Sequence, residues 1–315
     1  GVGTRDAAAV GDVVSFAVDL ETKTSNLAVF DERGKPVAAG IGAASVTLAA
    51  YVPKDSVGVY TVARGPKALP VRQRVGTERI GDDALAVSGD HYRICFDTTL
   101  GLVRWLELDG KRVMPHRTAL VAVTDQGQEQ APDGSSRVGS LAISTSPVAA
   151  DIEFSTLQNG LRITQKWRLE AARLAVELRV VNDDRKPLAF GEFRYEFGFD
   201  PKLLPRWRRQ IDGERHEEGS LPSGFGPMKG APVADFLAKG NGGIAVRPGR
   251  CAMITKWQTG PIGLRHSAMR TDLSLLNNIR MDPGDTILAE FDLLPHAGPL
   301  SQAVPPILVT ATNQP

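Results

Sequence analysis

The chain is poor in cysteine: Cys95 and Cys251 are the only thiols in 315 residues. One pair is too few for a disulfide framework, and the lack of any CxxC excludes structural zinc of the usual spacing. Cys95 sits in the alternating run His91-Tyr92-Arg93-Ile94-Cys95-Phe96. Two buried free thiols are therefore the expected state, with a long-range disulfide as the alternative. No run of 18 apolar residues occurs, which excludes a membrane-spanning helix. An excess of one charge sign is lacking too, since 37 basic and 36 acidic side chains leave a formal charge of +1. A nucleic-acid or membrane-surface protein would show a basic excess or a basic stripe. The five histidines form no HExxH and no pair at ligand spacing. GxSxG is absent, and Gly1-Val2-Gly3 and Gly240-Asn241-Gly242-Gly243 open no strand-to-helix turn. Neither a metal nor a cofactor is expected.

Turn formers are plentiful, at 32 Gly and 21 Pro, and convincing helical periodicity is missing. Short alternating runs dominate instead, so the expected class is all-β. Val14 to Leu20, Leu27 to Phe30, Val46 to Val52 and Gly58 to Val62 are spaced like a small immunoglobulin-like sandwich over residues 1–64. Residues 65–83 lack periodicity and read as a linker. Residues 84–315 carry roughly a dozen antiparallel-looking strands, enough for one large sandwich. Asp109-Gly110 marks a tight hairpin within it. Leu169–Arg173 and Val233–Lys239 are the only helical candidates and are read as short connectors. Residues 200–232 read as a long irregular stretch of the kind that carries function.

Four stretches of the large unit form a recognisable series. They are Tyr92-Arg93-Ile94-Cys95-Phe96-Asp97 with Gly101 to Leu106, Leu161 to Leu169, Leu174 to Asn182 leading into Glu192-Phe193-Arg194-Tyr195, and Met281-Asp282-Pro283-Gly284-Asp285 with Glu290 to Gly298. In that order they resemble the galactose-mutarotase-like, glycoside-hydrolase-type β-supersandwich superfamily. They are similar to sandwich domains of exo-acting rhamnogalacturonan lyases and family 38 α-mannosidases. The resemblance implies a small Ig-like sandwich followed by a large antiparallel β-supersandwich whose concave face takes a carbohydrate. It does not carry over the chemistry. Where the mutarotases hold a catalytic histidine this chain has Phe193, and no base glutamate matches near Gln258–His266. Aldose epimerase activity is thereby disfavoured.

Three groups of residues are candidates for a site. Glu192, Arg194 and Glu196 alternate with Phe193, Tyr195 and Phe197, so a strand puts the charges on one face and the aromatics on the other. Carboxylates at i and i+2 lie about 7 Å apart, which suits an acid and base for glycoside chemistry. Arg206, Trp207 and Arg208 combine a stacking platform with anion-gripping guanidiniums, and His216 follows as a candidate base. Trp257, Arg265 and His266 repeat that combination beside Gly260-Pro261. The solvated face of a sheet, an anchoring tryptophan and surface histidines are the plain structural alternatives.

These features fit a carbohydrate-binding or carbohydrate-processing protein acting on an oligosaccharide or polysaccharide, with a uronate among the suitable sugars. A polysaccharide lyase or glycosidase on the same fold is one alternative, and a non-catalytic structural module is the other. The expected partners are a carbohydrate and, through the Ig-like unit, a partner protein or domain. Nucleic acid and membrane insertion are not expected. A polysaccharide ligand favours a periplasmic or extracellular location.

Overall fold

The computed structural model describes residues 2–3, 10–17, 27–31, 34, 36–37, 39–41, 45–52, 57–58, 60–64, 75–130, 138–145, 149–212, 215–220, 225–228, 233–239, 242–256, 258–267, 270–298 and 308–309. The chain divides into two compact units, Gly1–Arg74 with Ser146–Val148 and Ser301–Pro315, and Val75–Thr145 with Ala149–Leu300. The last fifteen residues thus group with the first unit, whereas the sequence places them in the second. Backbone pairing of Leu308–Val309 with Val2–Gly3 is the cause, and no side-chain pattern announces it.

In the first unit Val10–Ala17, Ser45–Val52 and Ala39–Ile41 form one antiparallel sheet. Leu27–Asp31, Pro36–Val37 and Tyr60–Arg64 form another. Val29, Val46 and Leu48 are buried in it.

The second unit holds three antiparallel sheets. Gly76–Arg79 belongs to the first of these, so the expected linker ends earlier than 83; its residues 65–74 lie outside the described part. The largest sheet runs Val138–Thr145, Ala149–Gln158, Leu161–Glu170, Leu174–Asn182, Thr286–His296, Gly243–Met253, Ala234–Leu237, Arg206–Asp212 and Arg215–Ser220. The third sheet is centred on Ala119–Thr124, Leu188–Phe197 and Arg270–Met281. Among the described residues the only helical turn is the short 3-10 segment Ile254–Lys256, so the class is all-β. Val233–Lys239 is no helical connector, because Ala234–Leu237 is a central strand buried on both faces.

Strand alternation dictates which face meets the core. Along Leu161–Glu170 the residues Leu161, Ile163, Gln165, Trp167 and Leu169 are buried, and Arg162, Lys166 and Arg168 face away. Two-residue turns set the register. Asp109 and Gly110 take φ of 46° and 76°, and Asn159 and Gly160 take 49° and 78°, the left-handed pairs that match hairpin twist.

Two aromatic layers hold the sheets together. Phe96 of Tyr92–Asp97 packs on Phe154 and Trp167 of the large sheet, at ring distances of 5.7 and 5.2 Å. Tyr195 and Phe197 of the third sheet pack on Phe291, at 5.1 and 6.3 Å. Burying each such ring stabilises the fold by about 1.5–3 kcal/mol. A buried polar relay ties all three sheets: Gln165 Nε2 donates to Gly101 O at 3.0 Å, and the Tyr195 hydroxyl lies 3.0 Å from Thr118 Oγ1 and 3.4 Å from Gln165 Oε1. Both thiols are buried and free, and burial pushes Cys251 up to about 12.

Candidate functional site

Strand Leu188–Phe197 places Phe193, Tyr195 and Phe197 in the core and turns Glu192, Arg194 and Glu196 to the opposite face. The three charges meet, but they close on themselves. Arg194, 5% exposed, donates to Glu196 at 2.5 Å, to Glu192 at 3.2 Å and to Glu129 of the neighbouring strand. Burial works against its charge, and the bonds from Glu129, Glu196 and Glu192 outweigh that, holding it above its ordinary value. Arg265 joins the same network, reaching Asp272 at 3.0 Å and Glu192 at 3.4 Å. Carboxylates that neutralise a shared guanidinium are poor proton donors, and a guanidinium ringed by carboxylates is a poor uronate clamp. The cluster therefore reads as an ion network, not as an open acid and base.

The Trp207 group takes another form. Within the expected irregular stretch 200–232, Arg206–Asp212 and Arg215–Ser220 instead pair as a hairpin at the end of the large sheet. Trp207 is 4% exposed and its ring lies against Gly219, where a Cβ would come within 2.4 Å of it. It anchors the hairpin and is not available to stack on a sugar. Arg208 is paired with Glu218 at 2.5 Å, Arg209 with Glu217 at 2.6 Å, and Arg206 reaches the Ala238 carbonyl at 3.5 Å. His216 lies on the hairpin's second strand and His266 on Gly263–Ser267, but neither side chain is among those described. Trp257 lies outside the described residues. Glu192 and Trp207 sit on different sheets and do not converge.

The open site lies elsewhere, on the face of the large sheet turned away from the core. A basin of about 600 Å³ is lined there by Ala142, Ser144, Asp151, Glu153, Lys166, Arg168, Arg173, Ala175, Glu177, Gly249, Glu290 and Asp292, all from the second unit. Trp167 and Phe291 reach it only from beneath, at 1% and 2% exposed. Its side chains stand in two cross-strand rows.

One row reads Asp151, Arg168, Ala175, Asp292, Arg247. Its charges are matched: Arg168 pairs with Asp151 at 3.3 Å, and Asp292 accepts from Arg173 at 2.9 Å and Arg247 at 2.5 Å. The other row reads Glu153, Lys166, Glu177, Glu290. Lys166 lies 3.6 Å from Glu153 and 3.9 Å from Glu177. Glu290 stands directly opposite Glu177 in the register and has no cationic partner among the described residues. Like charges directly opposite each other destabilise a sheet, so nothing in the fold calls for this pair.

The floor is kept open by small residues. Gly249 sits at a bulge in Gly243–Met253, where a Cβ would lie 2.5 Å from the Glu290 carbonyl oxygen. Alternation along Leu174–Asn182 and Thr286–His296 marks Glu177 and Glu290 as outward-facing. Which outward row would stay unneutralised depends on a pairing of strands more than a hundred residues apart. Among the described residues no group of three or more His, Cys, Asp or Glu side chains is placed to hold a metal ion.

No protein-family model and no curated protein sequence matches the chain. Solved structures do. The chain is similar to an alpha-galactosidase from Lactobacillus brevis at 8% identity and TM-score 0.48, over 70% of this chain and 40% of that one. It is similar to a galactose mutarotase related enzyme from Lactobacillus acidophilus at 6% identity and TM-score 0.41, over 69% and 98%. A candidate aldose 1-epimerase from Escherichia coli K12 follows at 14% identity and TM-score 0.43, over 70% and 99%. At these identities and TM-scores the likeness transfers no activity to this chain.

Proposed function

We propose that the basin on the outer face of the large sheet binds a carbohydrate. The observation that carries this reading is the Glu177–Glu290 pair, two carboxylates set face to face in an open basin with one lysine beside them. Polyhydroxylated ligands need acceptors and donors side by side, and the basin supplies carboxylates beside Lys166, Arg168 and Arg173. A volume of about 600 Å³ falls in the range of ligand sites. With the aromatic rings beneath the floor, the sugar is held by hydrogen bonds rather than stacking.

The same pair favours a second reading, glycoside hydrolysis. Directly opposed strand residues have Cβ atoms about 4.5–5.5 Å apart. Retaining glycosidases set their two carboxyl groups about 5–5.5 Å apart. In that reading one glutamate attacks the anomeric carbon as the other protonates the departing glycosidic oxygen. The second then takes a proton from the water that releases the sugar from the first. A polysaccharide ligand would put the protein in the periplasm or outside the cell.

Thermal shifts with a panel of neutral and acidic oligosaccharides test the proposal. At least one sugar should raise the Tm of the wild type and fail to raise that of Glu290→Gln. If no sugar does so, the basin is not a carbohydrate site and the scaffold reading takes its place. Release of reducing sugar that stops in Glu290→Gln while binding persists would select the hydrolytic reading.

A further inference from the structure

A second cavity, of about 340 Å³, opens at one end of the large sheet and shares no residue with the basin. Lys111 comes from the strand after the Asp109-Gly110 turn, Lys202 from the turn before the Trp207 hairpin, and Lys239 from the end of Ala234–Leu237. Three separate segments thus line one hollow with a lysine each, all three exposed to solvent.

These lysines stand out in the molecule. Of the six described lysines of the second unit, Lys166 and Lys256 are held in ion pairs, while Lys111, Lys186, Lys202 and Lys239 have no carboxylate partner among the described residues. Three of those four line this one cavity. Its only lining carboxylate, Asp109, lies 3.3 Å from His91.

The wall adds a fourth positive group that is already balanced. His296 lines the cavity, and its ring faces acceptors at both nitrogens, Gly298 O at 2.5 Å and Asp235 Oδ1 at 2.7 Å. Burial lowers its pKa, and the Asp235 bond and charge with the Gly298 carbonyl outweigh that and raise it above its ordinary value. Asp235, 1% exposed, neutralises it, so the lysine charges are left for something else. Unmatched ammonium groups converging on a hollow raise the local concentration of anions.

We propose that this cavity is an oxyanion site, taking a small ligand with a carboxylate or phosphate group presented to Lys111, Lys202 and Lys239. The inference stands apart from the basin and holds whether or not the basin binds sugar.

Calorimetric titration at low ionic strength with inorganic phosphate and, separately, with glucuronate tests it. The wild type binds at least one, and the anion that binds names the source: phosphate for a phosphorylated ligand, glucuronate for a sugar acid, both for an oxyanion site without discrimination. The triple variant Lys111→Ala, Lys202→Ala, Lys239→Ala keeps the wild-type Tm and loses affinity by about tenfold or more. Lys186→Ala, which removes an unpaired lysine outside the cavity, leaves that affinity unchanged. Binding of neither anion overturns the proposal. So does a triple variant that binds like the wild type, or an equal loss of affinity in Lys186→Ala.

Discussion

Two outward faces of the second unit carry dense charge, and they differ in whether that charge is spent. On the third sheet Arg194 is buried under Glu129, Glu192 and Glu196, and Arg265 is taken by Asp272 and Glu192. On the large sheet the row through Glu153, Lys166, Glu177 and Glu290 ends in a carboxylate that is in no ion pair among the described residues. The first face resembles a buried salt bridge, where removing one partner costs far more than the pair contributes. The second leaves two like charges directly opposite each other. Residue types alone do not separate a structural face from a functional one; the balance of charge across neighbouring strands does.

The comparison can be broken by substitutions that treat the expected site as structure. Trp207→Ala should have the largest effect, destabilising by about 3–5 kcal/mol as a large core side chain lost under Gly219. Chemical denaturation would show it, and an unchanged midpoint would return Trp207 to the surface. Arg194→Met should follow, at about 3 kcal/mol, because it removes the buried guanidinium that Glu192 and Glu196 share. An equal loss of stability from Lys166→Met would erase the distinction between the faces, since Lys166 is half exposed and its pairs are long.

The smallest of these effects is a dependence on pH. Burial lowers the pKa of His296, but the Asp235 bond and charge and the Gly298 carbonyl overcome that and raise it above its ordinary value. A raised folded value means the contribution is complete below about pH 6.5 and is lost as pH climbs through the folded value. Stability should therefore decline across and above neutrality in the wild type and stay flatter in His296→Gln. Parallel curves for the two proteins would deny the imidazolium its role.

Much of the fold was legible in the sequence. Alternation in Leu161–Glu170 and Leu188–Phe197, and the Asp109-Gly110 turn, give strands, faces and a hairpin without any knowledge of partners. Asn159-Gly160 carries the same turn signature. The site was less legible, for a physical reason. The Glu192-Arg194-Glu196 pattern is local and visible, while its neutralisation by Glu129 and Arg265 is not. Trp207 looked exposed because its run is rich in arginine, yet strand alternation turns Arg206 and Arg208 to the other face, and Arg209 lies over the buried ring while pairing with Glu217. Glu177 and Glu290 are ordinary outward residues of two distant strands until the register sets them opposite each other.

The most direct test compares two conservative variants, Glu290→Gln and Glu192→Gln, by titrating each with the sugar that stabilises the wild type. The account predicts that Glu290→Gln loses affinity by about tenfold or more while Glu192→Gln binds as the wild type does. Loss of affinity in Glu192→Gln with Glu290→Gln unaffected would contradict it and move the site to the third sheet.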